Sequence, residues 1–135
     1  MSEPGPVGIV LVSHSRQVAD SVAQLAAGLA GTGGSSIAGA GGAPDGGLGT
    51  SAELIATAAR RVDGGSGVAI LADLGSAVLT VKAMLAEGDE LPEPTRLVDA
   101  PLVEGAISAL VAAAGGGDLD AVAAAAAEAY DYRKV

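Results

Sequence analysis

A single imidazole, His14, closes an apolar run at Ile9-Val10-Leu11-Val12 and is flanked by Ser13 and Ser15. A histidine at a strand-to-helix turn has two chemistries open to it. It can be a nucleophile, or it can be an ordinary capping or solvated side chain. Asp73 stands at the corresponding end of a second apolar run, Val68-Ala69-Ile70-Leu71-Ala72. If the two runs are neighbouring strands, the Asp73 carboxylate can accept from one ring nitrogen, fix the tautomer and leave the other nitrogen nucleophilic. The same aspartate would also serve as a plain helix cap. A third segment, Gly46-Gly47-Leu48-Gly49-Thr50-Ser51, offers small residues that let backbone N–H groups approach an anion, with two hydroxyls as added donors. It also suits a turn leading into a helix.

Other chemistries are excluded by what is missing. The chain has no cysteine, so disulfides, thiolate metal sites and cysteine nucleophiles are ruled out, and one histidine cannot build a multi-histidine metal site. Gly65-Ser66-Gly67 precedes a strand instead of following one, so it is no nucleophile elbow. Gly47-x-Gly49-x-x-Ala52 does not follow the first strand directly, and no phosphate-binding loop ending in Gly-Lys-Ser/Thr occurs. With 7 basic against 16 acidic residues the net charge is −9, and only Tyr130 and Tyr132 are aromatic. Such a surface neither neutralises phosphates nor stacks bases, so nucleic-acid binding is not expected.

These groups need a scaffold that brings two strand ends together. At 135 residues the length fits one domain over 1–135, with a flexible start at 1–6 and a C-terminal helix and tail at 118–135. The runs at 7–12 and 68–72 are apolar throughout, as in parallel strands buried on both faces. Ser35 to Ala40 and Thr95 to Val98 supply two weaker strands. Between them lie helical patterns. The first carries Val18, Val22, Leu25 and Leu29 and stops near Ala30. The second opens with Thr50 and Glu53 at capping-box spacing and runs to about Val62. The third ends near Gly88, the fourth opens at Pro101, and the last runs from an Asp118 cap to about Tyr130. The order β-α-β-α-β-α-β-α-α predicts an α/β, doubly wound, mainly parallel sheet of about four strands with helices on both faces. Such sheets bind ligands beyond the carboxyl ends of their strands. No apolar run is long enough for a membrane span, and the first residues have no secretory pattern, so a cytoplasmic protein is expected.

Three segments together, Ile9 to Ser15, Asp45 to Ser51 and Ala72-Asp73-Leu74-Gly75-Ser76-Ala77, resemble the mannose-type EIIA family of the phosphotransferase system. The resemblance covers about residues 7 to 130. Asp73-Leu74-Gly75-Ser76-Ala77 lacks the second glycine and the proline usual in the sugar-transporter branch. It is similar to the branch that serves phosphoenolpyruvate-dependent dihydroxyacetone kinase. Ser51 departs from the aspartate that many members carry there. The resemblance implies that His14 accepts a phosphoryl group from the phosphocarrier HPr and passes it to ADP held on a partner subunit, DhaL. That subunit in turn phosphorylates dihydroxyacetone on DhaK. It implies Asp73 as the residue that orients His14, and Ser15, Gly49, Thr50 and Ser76 as phosphate-binding residues. It also implies a homodimer, no metal or cofactor on this chain, and ADP/ATP with Mg on DhaL. Some members continue into phosphocarrier domains, so a chain ending at Val135 is expected to use a separate one. The alternatives are an EIIA subunit of a mannose-type sugar permease and a non-catalytic anion-binding module.

Overall fold

Uninterrupted apolar runs bury both faces of a strand, and these runs do so. A computed structural model describes residues 4–32 and 36–135. Four strands, β1 (Gly8–Ser13), β2 (Ile37–Gly41), β3 (Val68–Ala72) and β4 (Thr95–Leu97), form one sheet in the order β2-β1-β3-β4, every pair parallel. Five helices connect and cover them: α1 (Arg16–Ala30), α2 (Ala52–Val62), α3 (Gly75–Glu87), α4 (Leu102–Ala114) and α5 (Leu119–Glu128). A short 3-10 turn, Ala129–Asp131, follows α5. This is the expected doubly wound architecture, with the weak second strand present. Ser35, its expected first residue, lies outside the described residues.

The strand alternation divides the core in two. Ile9, Leu11, Ala69 and Leu71 pack with α1, α4 and α5 on one face. Val10, Val12, Val68 and Ile70 pack with α2 and α3 on the other. With no phenylalanine or tryptophan in the chain and both tyrosines exposed, contact is made by bringing backbones close. Gly41 shows how close: an added Cβ would lie 2.4 Å from the Ser15 carbonyl oxygen and 2.8 Å from the Arg16 Cα. At Gly39 it would lie 2.8 Å from the Ala19 carbonyl carbon. The start of α1 therefore rests directly on β2, which is why β2 carries one large side chain, Ile37. Gly41→Ala is expected to destabilise the fold by about 1–3 kcal/mol, because backbone and not a flexible side chain must give way. Urea midpoints read this directly.

The expected apolar stripe of α1 needs correction. Val18, Leu25 and Leu29 are exposed, Leu29 at 65%. The buried face is Ala19, Val22, Ala23 and Ala26. The short distance to β2 selects alanine for the inner face and leaves the longer side chains outside.

The chain leaves β1 for β2 on one side and reaches β3 and β4 on the other. The order of strands therefore reverses between β1 and β3, and their two following loops part at that point. A crevice at the carboxyl ends of β1 and β3 is the consequence. Among the described residues, no helix is long and apolar enough to cross a membrane.

Candidate active site

The β1–β3 ladder runs one residue past β3, with Asp73 N–H donating to the Val12 carbonyl at 3.0 Å. That bond sets Asp73 beside Ser13 and His14. Each of its carboxylate oxygens then accepts two hydrogen bonds. Oδ2 takes the Ser13 hydroxyl at 2.9 Å and the His14 backbone N–H at 3.0 Å. Oδ1 faces His14 Nδ1 at 3.0 Å and takes the Leu74 N–H at 2.7 Å. An aspartate in that position accepts, so His14 Nδ1 is the protonated nitrogen and Nε2 keeps its lone pair. Nε2 points to the Ser76 hydroxyl, in close contact with its Oγ. The imidazole side chain is 25% exposed and the Asp73 carboxylate 17%, so the ring is reachable while its anchor is largely covered.

Burial pushes the Asp73 carboxyl upward. The bonds from the His14 N–H, the His14 ring, Ser13 and Leu74 outweigh it and hold the group below its ordinary value. A carboxylate with a depressed folded-state pKa adds stability that is complete above its unfolded value, near 3.9, and is lost as pH falls through the folded value. Wild type should therefore lose stability on acidification below about pH 4, and Asp73→Asn should show a flatter dependence there. Urea midpoints taken between about pH 3 and 6 on both proteins read the difference.

Of the residues expected to hold phosphate, Ser76 alone touches the ring. It lies in the first turn of α3, where the Gly75 and Ser76 N–H groups have no intrahelical acceptor. Leu74 is the N-cap of α3 and makes no side-chain capping bond. Asp73 therefore does not cap this helix; its oxygens hold the loop and the imidazole. Ser15 is the N-cap of α1, its hydroxyl accepting from Val18 N–H at 3.2 Å. The Gly49 N–H donates to the His14 carbonyl at 2.9 Å, so it holds the main chain of His14 and is not directed at a ligand. Thr50 is not the cap of α2. Ser51 is, accepting from Leu54 N–H at 3.2 Å, and Thr50 pairs instead with the Thr80 hydroxyl at 3.0 Å. Serine and aspartate cap a helix about equally well, which accounts physically for either residue at position 51.

Residue order alone gives Ser13 no role beyond flanking His14. Ser13 is 1% exposed, donates to Asp73 and accepts from Ser15 N–H at 3.1 Å. A hydroxyl ending a wholly apolar strand was its one signal. Nothing in the spacing of Thr80 marks it. Among the described residues, ligand-type side chains cluster at metal-binding spacing only at Glu87, Asp89 and Glu90. That trio lies at the opposite end of α3 from Ser76, Glu87 being the last residue of the helix.

The family model of the PTS system fructose IIA component, EIIA-man, matches residues 8–123. A Listeria innocua protein named phosphoryl donor subunit DhaM of PEP-dependent dihydroxyacetone kinase 2 is 39% identical, over 78% of this chain and 84% of its own length. The Escherichia coli subunit of the corresponding name is 36% identical over 86% of this chain but only 25% of its own length. The chain thus spans about a quarter of that longer relative. A solved protein of unknown function superposes with a TM-score of 0.78 at 32% identity, covering 92% of this chain and 95% of its own. A sigma-54 interaction domain protein from Enterococcus faecalis, at 17% identity, shares the fold with a TM-score of 0.69 over 96% of this chain and 93% of its own.

Proposed function

Because the chain belongs to the PTS system fructose IIA component family, we propose that His14 is a phosphoryl carrier, loaded and unloaded at Nε2. The observation that supports this most is the pairing of Nδ1 with Asp73 at 3.0 Å, which leaves the lone pair on Nε2, at the first turn of α3 beside Ser76. Nε2 attacks the phosphorus of a phosphorylated donor, the N–P bond forms, and the donor's own bond to phosphorus breaks. The proton on Nδ1 stays there, and Asp73 balances the positive charge that the ring acquires as it bonds phosphorus. The Ser76 hydroxyl and the Gly75 and Ser76 N–H groups, at the positive end of α3, are placed to hold the arriving anion. Transfer of this kind depends on in-line placement and charge stabilisation more than on further chemistry by the protein. The unloading step reverses these bonds: an acceptor oxygen takes the phosphoryl group and Nε2 recovers its lone pair.

The donor in this reading is HPr. The acceptor is ADP on DhaL, with Mg and nucleotide belonging to that subunit and DhaK served indirectly. The chain acts as a cytoplasmic homodimer with no cofactor of its own. The names of the bacterial relatives support the kinase assignment, and so does the Asp73-Leu74-Gly75-Ser76-Ala77 segment. Incubation with enzyme I, HPr and labelled phosphoenolpyruvate is the test. The chain should take up an acid-labile label that ADP-loaded DhaL discharges as ATP. Absence of label, or discharge only by the next component of a sugar permease, would overturn the reading.

A further inference from the structure

Phosphoryl transfer at His14 requires the Gly-rich loop and the start of α3 to stay in register around it. On the strength of the phosphoryl-carrier reading, we propose that Thr80 is a positioning residue that clips the two together. Its Oγ1 donates to the Ser76 carbonyl, one helical turn back, at 3.1 Å. It also lies 3.0 Å from the Thr50 Oγ1. A threonine hydroxyl has one proton to give. With that proton on the Ser76 carbonyl, Thr80 accepts from Thr50, and the order runs from Thr50 to Thr80 to Ser76.

Both ends of this chain reach His14. Thr50 follows Gly49, whose N–H donates to the His14 carbonyl at 2.9 Å, and Ser76 meets the ring at Nε2. The other bonds of the loop stay within it or go to β1: Gly46 N–H to Ala43, Ala43 N–H to Gly47, Gly42 N–H to Ser13. Among the described residues, the hydroxyl pair is the hydrogen bond that ties this loop to α3. A phosphoryl group arriving at Nε2 must displace the Ser76 hydroxyl. Thr80 holds the Ser76 main chain, so the hydroxyl can turn while the N–H groups of the first turn stay where they are. Thr80 is half-buried, so it acts through Ser76 and Thr50 and not on the phosphoryl group.

Three variants test this. Thr80→Val removes the hydroxyl and keeps the shape, Thr80→Ser keeps the hydroxyl, and Thr50→Val cuts the same link from the other side. With phosphorylated HPr as the varied donor and ADP-loaded DhaL in saturating excess as acceptor, Thr80→Val should lower kcat about five- to tenfold with KM for HPr within twofold of wild type, because placement is altered and the docking surface is not. Thr80→Ser should restore the rate. The Thr50→Val, Thr80→Val double variant should be no slower than Thr80→Val alone, since Thr80→Val already removes the link that Thr50→Val cuts. In the free protein, the Gly49 amide should exchange with solvent faster in Thr80→Val. A wild-type kcat in Thr80→Val, a change confined to KM, or multiplied effects in the double variant would overturn the proposal, as would an unchanged Gly49 amide. The amide measurement needs no phosphoryl donor. It decides the role of Thr80 even if wild type takes up no phosphate, an outcome that would sink the carrier reading instead.

Discussion

His14→Ala should abolish phosphoryl uptake, lowering the rate by at least about four orders of magnitude, while leaving the fold nearly intact. The chain has no second histidine or any cysteine to take over the nucleophile's part. The fold survives because the structural bonds at this position belong to the main chain. The His14 N–H still donates to Asp73 and its carbonyl still accepts from Gly49. What is lost is a partly exposed ring and one bond to Asp73, which keeps the donors Ser13, His14 N–H and Leu74. The melting temperature should shift by no more than a few degrees, as for a change of about 1 kcal/mol. Label incorporation and a thermal melt on one preparation separate the two effects. Equal label in the variant and wild type would remove His14 from the site.

Asp73→Asn should be the second most damaging change, and more so than its small change in shape suggests. The carboxylate receives two donors on each oxygen. An amide has one oxygen and one NH2, so either orientation sets a donor against donors. With the NH2 toward the Ser13 side it confronts the His14 main-chain N–H. With the NH2 toward the ring it confronts Leu74 N–H, and it presents a donor to Nδ1. The imidazole then relieves the conflict by shifting its proton to Nε2, and the nucleophilic lone pair is lost. Transfer should slow by about 10²–10⁴-fold, and stability should fall by roughly 2–4 kcal/mol, because a largely buried hub loses partners. Asp73→Ala removes the anchor without imposing the wrong tautomer, so it should slow transfer less than Asp73→Asn does. Single-turnover rates for both variants, with urea midpoints alongside, check this. An Asp73→Asn rate within a few-fold of wild type would mean that the tautomer is set elsewhere.

Much of this site can be read from residue order. The two runs at 7–12 and 68–72 are apolar enough to be central parallel strands. Neighbouring central strands put the residues after them, His14 and Asp73, side by side. The face of α1 was not legible, because periodicity favours large side chains. Here the two backbones approach so closely at Gly39 and Gly41 that alanine fills the interior. Capping-box spacing sets the cap of α2 at Thr50, one residue before the observed cap at Ser51. Thr50 and Ser51 are both capping types, and only the pull of Thr80 on Thr50 separates them. The family resemblance implies Gly49 as a phosphate-binding residue. Its N–H direction depends on where the His14 carbonyl lies, which no local pattern records. Thr80 depends on a contact across 30 residues to Thr50, so its part could not be read before the fold was known.

The central claim is that His14 reacts through Nε2 while Asp73 holds Nδ1. With one histidine in the chain, 15N-labelled histidine gives one imidazole to follow, free of overlap. The chain should be phosphorylated by enzyme I, HPr and phosphoenolpyruvate, and the nitrogen–phosphorus coupling measured by NMR. The account predicts coupling at Nε2, with Nδ1 still protonated against Asp73. Coupling at Nδ1, or phosphate on any other residue, would contradict it.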